Sequence, residues 1–239
     1  EKEADIALNV NLSKSSITLG SIEGPRFKSG LHMTAYASKM HPKEWWSERG
    51  FVYQYDGTLK HPDGRLSLPV YEGRMIDRYD ACAKSWISGR GRYAKWATLS
   101  WANKTLGPQF WILKSDTPKV HFTPRIGFKS ISRPTIKRTM NCAYLDSFPA
   151  GNAVGGLWHD NPTMLWSLLA VLNSITFDYM IKRRCSGLNI NWHLLEEALI
   201  PKDALKEPFT QQFTNWVPRL SCFLPHIQNG FHRTEMAIF

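Results

Sequence analysis

The sequence predicts a mixed α+β fold, with mainly antiparallel strands in the first two thirds and helices late in the chain. Short apolar runs separated by Asp-Gly pairs are typical of strands joined by hairpin turns. A long apolar run around residue 170 follows helix-capping residues and exceeds the usual length of a strand. The 239 residues are 43% hydrophobic and 21% charged, which favours a folded chain over a disordered one.

The first predicted strand rests on the alternation of Ile6, Leu8, Val10 and Leu12 with polar residues. Further strands are expected at residues 51–55, 66–71, 110–113, 125–131 and 139–145. The first two of these are bounded by Asp56-Gly57 and Asp63-Gly64, which predict turns, and Pro69 favours an edge position for the strand containing it.

The strand at 125–131 carries a specific expectation about charge. Ile126 and Phe128 alternate with Arg125 and Lys129, so the pattern predicts that the two cations share the face opposite the apolar pair.

Asn161 and Pro162 predict the start of a helix that runs from about 163 to 182. This segment is apolar nearly all round, so we expect one long, buried helix. A short helix is expected at 192–199, ended by Pro201, and the glycine-rich residues 151–156 predict a mobile loop. We divide the chain into an N-terminal segment or linker from an upstream domain (1–25), a central domain (26–201) and a C-terminal extension (202–239).

The location of the protein is predicted from absent signals. No stretch of apolar residues is long enough to span a bilayer, and no signal peptide precedes the folded sequence, so we expect a cytoplasmic protein without a membrane partner. Cys82, Cys142, Cys185 and Cys222 are widely spaced, which favours reduced, buried thiols over disulfides. The chain begins at Glu1 instead of Met, from which we expect a trimmed or recombinant fragment.

Positive charge is concentrated in the middle of the chain. Residues 74–138 hold fourteen Lys and Arg against three Asp, a net charge of +11, whereas the whole chain carries +10. Such a concentrated field favours a polyanionic partner, and nucleic acid is the commonest one; a solvated charged face is the alternative. The segment also contains interleaved aromatic residues, so we expect it to fold.

Candidate DNA contacts follow from this segment. Residues 88–96 combine glycines, cations and two aromatic rings, as expected of a flexible basic loop. Tyr93 and Trp96 could stack on bases or pack in the core, and Asp77 and Asp80 could pair with the nearest arginines. The predicted contact residues are Arg74, Arg78, Arg90, Arg92, Tyr93, Lys95, Trp96, Arg125, Lys129, Arg133, Lys137 and Arg138.

The sequence predicts no catalytic residue and no metal site in this chain. Glycine-rich phosphate-binding motifs, the nucleophile elbow and paired metal-binding histidines are absent. The nearest match to a metal-dependent nuclease is Pro62-Asp63 followed by Glu72-Gly73-Arg74, which has Arg in place of the usual Lys. A stand-alone nuclease is therefore kept as an alternative.

Several segments, in one order over about residues 26–201, resemble large adenine-specific DNA methyltransferases. Leu68–Asp80 is similar to their LPLYEGKMIHQFDH segment, with Asp77 in place of His. Arg125–Arg133 and the following Arg138–Met140 resemble RIAFRDISRSTNERTM, with Lys129 in place of Arg. Shorter similarities occur at Leu31–Thr34 (FHMT), Leu169–Tyr179 (LLALLNSFVFDY) and Gly187–Pro201 (GTHLNYFILKQLPV).

This family comprises type IIG restriction–modification proteins and the methylase of phage-exclusion systems. The resemblance implies that the chain is the target-recognition region, which docks double-stranded DNA for a catalytic methyltransferase domain of the same parent chain. S-adenosylmethionine is expected as the cofactor of that parent enzyme, not of this chain. An interaction module for RNA or an acidic protein is a further alternative.

Overall fold

The computed structural model of the chain describes residues 2–221, and their fold is mixed α+β as predicted. The helices are α1 Lys2–Ser15, α2 Lys43–Ser47, α3 Pro162–Leu172, α4 Ile175–Arg184, α5 Trp192–Glu196 and α6 Phe209–Ser221. The strands are β1 Ser16–Thr18, β2 Arg26–Ser29, β3 Val52–Tyr53, β4 Leu59–Lys60, β5 Leu66–Pro69, β6 Lys84–Ser88, β7 Lys95–Thr98, β8 Trp111–Leu113, β9 Arg125–Lys129, β10 Cys142–Leu145, β11 Val154–Trp158 and β12 Leu199–Pro201.

The main sheet is antiparallel and has the strand order β10-β9-β11-β2. Helix α3 packs against β9 and β10 on one side and against α6 on the other. The Trp166 ring of α3 stacks on the Tyr144 ring of β10 with centroids 4.5 Å apart, and both side chains are buried. The largest hydrophobic core therefore lies between this sheet and the late helices.

A second antiparallel sheet has the order β3-β4-β5-β8. The predicted hairpin turns are confirmed, because Gly57 and Gly64 adopt φ angles of 87° and 93°, which favour glycine. The edge position predicted from Pro69 is wrong, since β5 lies between β4 and β8. Pro69 is the last residue of β5, where the ladder ends opposite Trp111.

The remaining strands form two pairs. β6 and β7 make a separate hairpin within the basic segment, and β1 pairs with β12. One core cluster includes Leu19, Ile126 and Val217, with Leu12 packed against it. The domain boundaries predicted at 25 and 201 therefore cross a continuous core, and residues 222–239 of the predicted C-terminal extension lie outside the described residues.

Two of the predicted elements have the wrong type. Residues 2–15 form a helix instead of the strand predicted from the alternation at 6–12. The glycine-rich residues 151–156 were predicted as a mobile loop, yet β11 begins at Val154 and is a buried interior strand. Gly155 is required there because a Cβ would lie 2.1 Å from Cζ of Phe128.

The predicted long helix is broken into two. α3 begins at Pro162 with Asn161 as its N-cap, as predicted, but it ends at Leu172. The buried Asn173 side chain exchanges hydrogen bonds with the backbone of Cys142, and Ser174 caps α4 through the N–H of Phe177. The short helix expected at 192–199 ends earlier, at Glu196, since Leu199–Pro201 joins β1 as a strand.

Among the described residues, neither α3 nor α4 nor any other single helix meets the length and hydropathy needed to cross a bilayer; α3 and α4 meet these requirements only as a pair bent by 67°. Cys82, Cys142 and Cys185 are free and buried, as predicted, and Cys222 lies outside the described residues.

Candidate nucleic-acid interface

The β6–β7 hairpin presents the basic loop predicted at residues 88–96. Its tip needs glycine, because Gly89 has a φ of 77° and a Cβ there would lie 2.4 Å from the Tyr93 carbonyl oxygen. Tyr93 is 71% exposed, and the Arg92 guanidinium lies 4.8 Å from the centroid of its ring. Arg90 and Lys95 are exposed on the same tip. The local sequence thus builds a tight, basic, solvent-exposed turn.

Hydrogen bonds from the body of the protein hold the hairpin tip in place. Arg74 Nη1 donates to the carbonyl oxygen of Ala94 at 2.8 Å, and Gln109 Nε2 donates to that of Gly89 at 2.9 Å. Trp86 Nε1, from β6 itself, donates to the same Gly89 oxygen at 3.0 Å. The tip is therefore anchored at both of its ends.

A cleft of about 650 Å³ lies between the hairpin and the segment that follows β9. Apolar and aromatic side chains form much of its lining, and four of the predicted contact residues belong to it. The lining residues are Met33, Glu72, Gly73, Arg74, Gly91, Ala94, Trp96, Gln109, Phe110, Lys129, Ile131, Ser132, Arg133, Ile136, Gly151 and Ala153.

The predicted contact residues fall into four groups. Arg74, Trp96, Lys129 and Arg133 line the cleft. The hairpin tip carries Arg90, Arg92, Tyr93 and Lys95, and Gly91 and Ala94 of the same tip complete one wall of the cleft. Two further residues, Arg78 and Lys137, are exposed outside the cleft lining, whereas Arg125 and Arg138 are drawn into the structure.

The cations of the cleft and hairpin repel one another. Burial lowers the pKa of Lys129, and Lys84 and Arg74 lower it further, while Asp77 acts in the opposite direction. Within residues 2–221, Arg90, Lys95 and Arg133 make no ion pair with a carboxylate. The region therefore holds positive charge that the described part of the protein does not neutralise.

Glu72 is the acidic residue of the cleft. Its Oε1 accepts a hydrogen bond from the Gln109 backbone N–H at 3.3 Å. Burial raises the pKa of this carboxyl to about 7, although the Gln109 N–H and the Arg74 charge both favour the ionised form. This carboxyl, with its pKa raised by burial, thus shares the lining of the cleft with Arg74, Lys129 and Arg133.

Arg125 is a correction to the predicted contact set. It is 1% exposed, and its guanidinium donates hydrogen bonds to the carbonyl oxygens of His121, Thr123, Asp146 and Phe148. β9 lies between two other strands with both faces covered, so alternation along it does not separate core from solvent. The exposed face expected for Arg125 is therefore not observed, and its guanidinium binds backbone carbonyl groups instead.

Arg138 is also held within the structure. Its Nη2 donates to the carbonyl oxygens of Asn173 at 2.6 Å and Ser174 at 3.2 Å, and Nε lies 3.4 Å from Asp178 Oδ2. The Arg138 side chain thus donates hydrogen bonds to the backbone carbonyl groups at the break between α3 and α4. The alternative pairing of the nearby arginines with Asp80 is wrong as well, because Asp80 pairs with Lys104.

Sequence reasoning missed several residues that line the cleft. None of Met33, Glu72, Gln109 and Phe110 was among the predicted contact residues, and Glu72 was weighed as a functional residue only in the nuclease-like motif. The segments containing Met33 and Glu72 are both among those resembling the methyltransferases, and the structure brings them together at the cleft.

The nuclease-like motif does not assemble. Asp63 lies in the β4–β5 turn, where its carboxylate contacts Arg65 Nε at 2.8 Å and His61 Nδ1 at 2.7 Å. Hydrogen bonding by the Arg65 backbone N–H lowers the pKa of Asp63 to about 2, against a smaller opposing effect of burial. In the part of the chain that the structure describes, no three His, Cys, Asp or Glu side chains gather as metal ligands.

No protein-family model matches the chain, and no curated protein matches it.

Proposed function

We propose that this chain is a sequence-specific double-stranded DNA recognition module of an adenine-specific DNA methyltransferase or restriction–modification enzyme. In this proposal it acts in the cytoplasm and positions the duplex for a catalytic domain of the same parent protein. The methyl donor S-adenosylmethionine belongs to that catalytic domain.

One observation carries the proposal: exposed, unpaired cations of the hairpin tip adjoin a cleft that contains further cations. Arg90 and Lys95 extend from the tip, and Lys129 and Arg133 line the adjoining cleft. Phosphate contacts of this kind give affinity and register, and side chains that enter a groove give sequence information. A rigidly anchored hairpin is suited to the second task because its backbone is already ordered before binding.

The first test measures duplex binding as a function of salt. If about six cations contact phosphates, the logarithm of the association constant falls with the logarithm of the salt concentration with a slope of about −5. Arg90→Ala and Arg133→Ala should each weaken binding and make the slope less steep by about 0.9. Lys202→Ala, at an exposed lysine outside the basic segment, is the matched control and should change neither quantity.

The rival functions give different results in the same assays. Equal competition by RNA or heparin would favour a general polyanion-binding module, and normal binding by both arginine variants would contradict the proposed interface. Cleavage of plasmid DNA with Mg²⁺, abolished by Asp63→Ala, would favour the nuclease instead. Sequence specificity predicts that selection from a random duplex library returns one recurrent motif.

A further inference from the structure

We propose that the cleft binds a single unstacked nucleotide of DNA whose base carries an amino group. This inference rests on the proposed function and deepens it, because it assigns the cleft a different part of the DNA from the phosphates bound by the hairpin.

The size and lining of the cleft fit one nucleotide. Its volume of about 650 Å³ lies within the range of pockets that enclose small ligands. The rings of Trp96 and Phe110 and the side chains of Met33 and Ile131 supply apolar surface on several sides. Aromatic side chains bind unpaired bases by stacking, and this lining offers such rings.

The charge of the cleft fits the phosphate of the same nucleotide. Arg74, Lys129 and Arg133 all line it, and the guanidinium groups can bind phosphate oxygens in pairs. Mutual repulsion between Lys129 and the Arg74 charge would be relieved by a bound anion. The cleft therefore combines an apolar lining with a cationic one, as a nucleotide requires.

Glu72 provides the selectivity for an amino group. Its Oε1 is used by the Gln109 N–H, whereas Oε2 makes no hydrogen bond to the described residues. A free carboxyl oxygen in the cleft can accept a hydrogen bond from an exocyclic amine. Adenine, cytosine and guanine carry such an amine, whereas the donor that unpaired thymine offers is its ring N3–H, which lies between two carbonyl oxygens that a carboxylate repels.

The experiment compares four DNAs in a fluorescence anisotropy titration at one salt concentration. They are a fully paired duplex and the same duplex with one unpaired adenine, cytosine or thymine at a fixed position. We expect the adenine and cytosine bulges to bind about tenfold more tightly than the thymine bulge, as a base-edge contact provides.

Three variants of cleft residues and one control variant on the hairpin tip test whether this preference belongs to the cleft. Glu72→Gln should remove the discrimination against thymine, because its amide can donate to a thymine oxygen as well as accept from an amine. Trp96→Leu should weaken binding of every bulged DNA by about tenfold, and Trp96→Phe should restore most of it. Arg90→Ala, on the hairpin tip, should weaken all four DNAs by a common factor and leave their ratios unchanged.

The outcomes separate the inference from the function on which it rests. Tight binding of the paired duplex with no gain from any bulge overturns the nucleotide site and leaves the DNA-binding module intact. Equal gains from adenine, cytosine and thymine bulges overturn the role of Glu72. Failure of every DNA to bind overturns the proposed function and the inference together.

Discussion

Glu72 should make the folding stability of this protein depend on pH, and the substitution Glu72→Gln should remove that dependence. Burial raises the pKa of its carboxyl from 4.5 to about 7 in the folded state. Between these values the folded chain binds more protons than the unfolded chain, so stability decreases as the pH rises. The contribution of Glu72 is fully present below pH 4.5 and is lost as the pH passes 7.

The size of this pH dependence follows from the difference between the folded-state and unfolded-state pKa values of Glu72. At about 1.4 kcal/mol for each pKa unit, ionising Glu72 in the folded state costs about 3 kcal/mol. Glu72→Gln keeps the shape and the acceptor for the Gln109 N–H but cannot ionise. The free energy of unfolding of the variant, relative to wild type, should therefore increase by about 3 kcal/mol between pH 4 and pH 8.

Urea unfolding at several pH values measures this difference. Burial lowers the pKa of His121 to about 4, which gives an opposing slope below pH 6.5, but the slope is common to both proteins and cancels in the comparison. Glu23→Gln, at an exposed glutamate outside the cleft, is the matched control for replacing a glutamate by glutamine. A Glu72→Gln difference that stays constant from pH 4 to pH 8 would refute the reasoning.

The buried guanidinium, the helix cap and the interior glycine give three further predictions, each measured by urea unfolding. Arg125→Met should destabilise the fold by at least about 3 kcal/mol, because several buried carbonyl oxygens lose their hydrogen-bond donor. A loss of DNA affinity at unchanged stability would show instead that Arg125 is accessible. Asn161→Ala should cost about 1 kcal/mol by removing the acceptor that caps α3, and an unchanged midpoint would count against the cap. Gly155→Ala should cost about 1–3 kcal/mol because its Cβ would overlap the Phe128 ring, whereas Gly187→Ala, with nothing within 4 Å of the added Cβ, should be nearly neutral.

Features that depend on a few neighbouring residues were predictable from the sequence. The two Asp-Gly turns and the start of α3 at Asn161 and Pro162 are examples, because turn and cap preferences are set by local backbone conformation. The concentration of cations was predictable for the same reason, since it needs only counting.

Features that depend on distant partners were not predictable. The break after Leu172 exists because Asn173 bonds to Cys142, which is far away in sequence and lies on β10. The glycines at 155 and 156 indicated a loop, yet they leave room for the rings of Phe128 and Trp158 inside a sheet. In each case a local signal was outweighed by packing that the sequence order does not reveal.

In the candidate site, too, local features were predictable from the sequence and features that depend on distant residues were not. The basic character of residues 88–96 was predicted from composition, but the strands β6 and β7 that make this segment a hairpin were not. Alternation placed Arg125 on an exposed face because it assumes a sheet with one solvated side. The cleft itself needed the structure, since Glu72 precedes the hairpin, Gln109 follows it and Met33 comes from a third segment.

The hydrogen bond from Arg74 to the Ala94 carbonyl links the lining of the cleft to the tip of the hairpin. A ligand that draws this guanidinium toward itself breaks one of the hydrogen bonds that hold the tip. Conversely, a duplex that displaces the tip frees the Arg74 guanidinium to bind a ligand in the cleft. Thermodynamic reciprocity then requires each event to alter the other by the same factor. Ligand binding in the cleft and displacement of the hairpin tip would therefore be thermodynamically coupled through this one hydrogen bond.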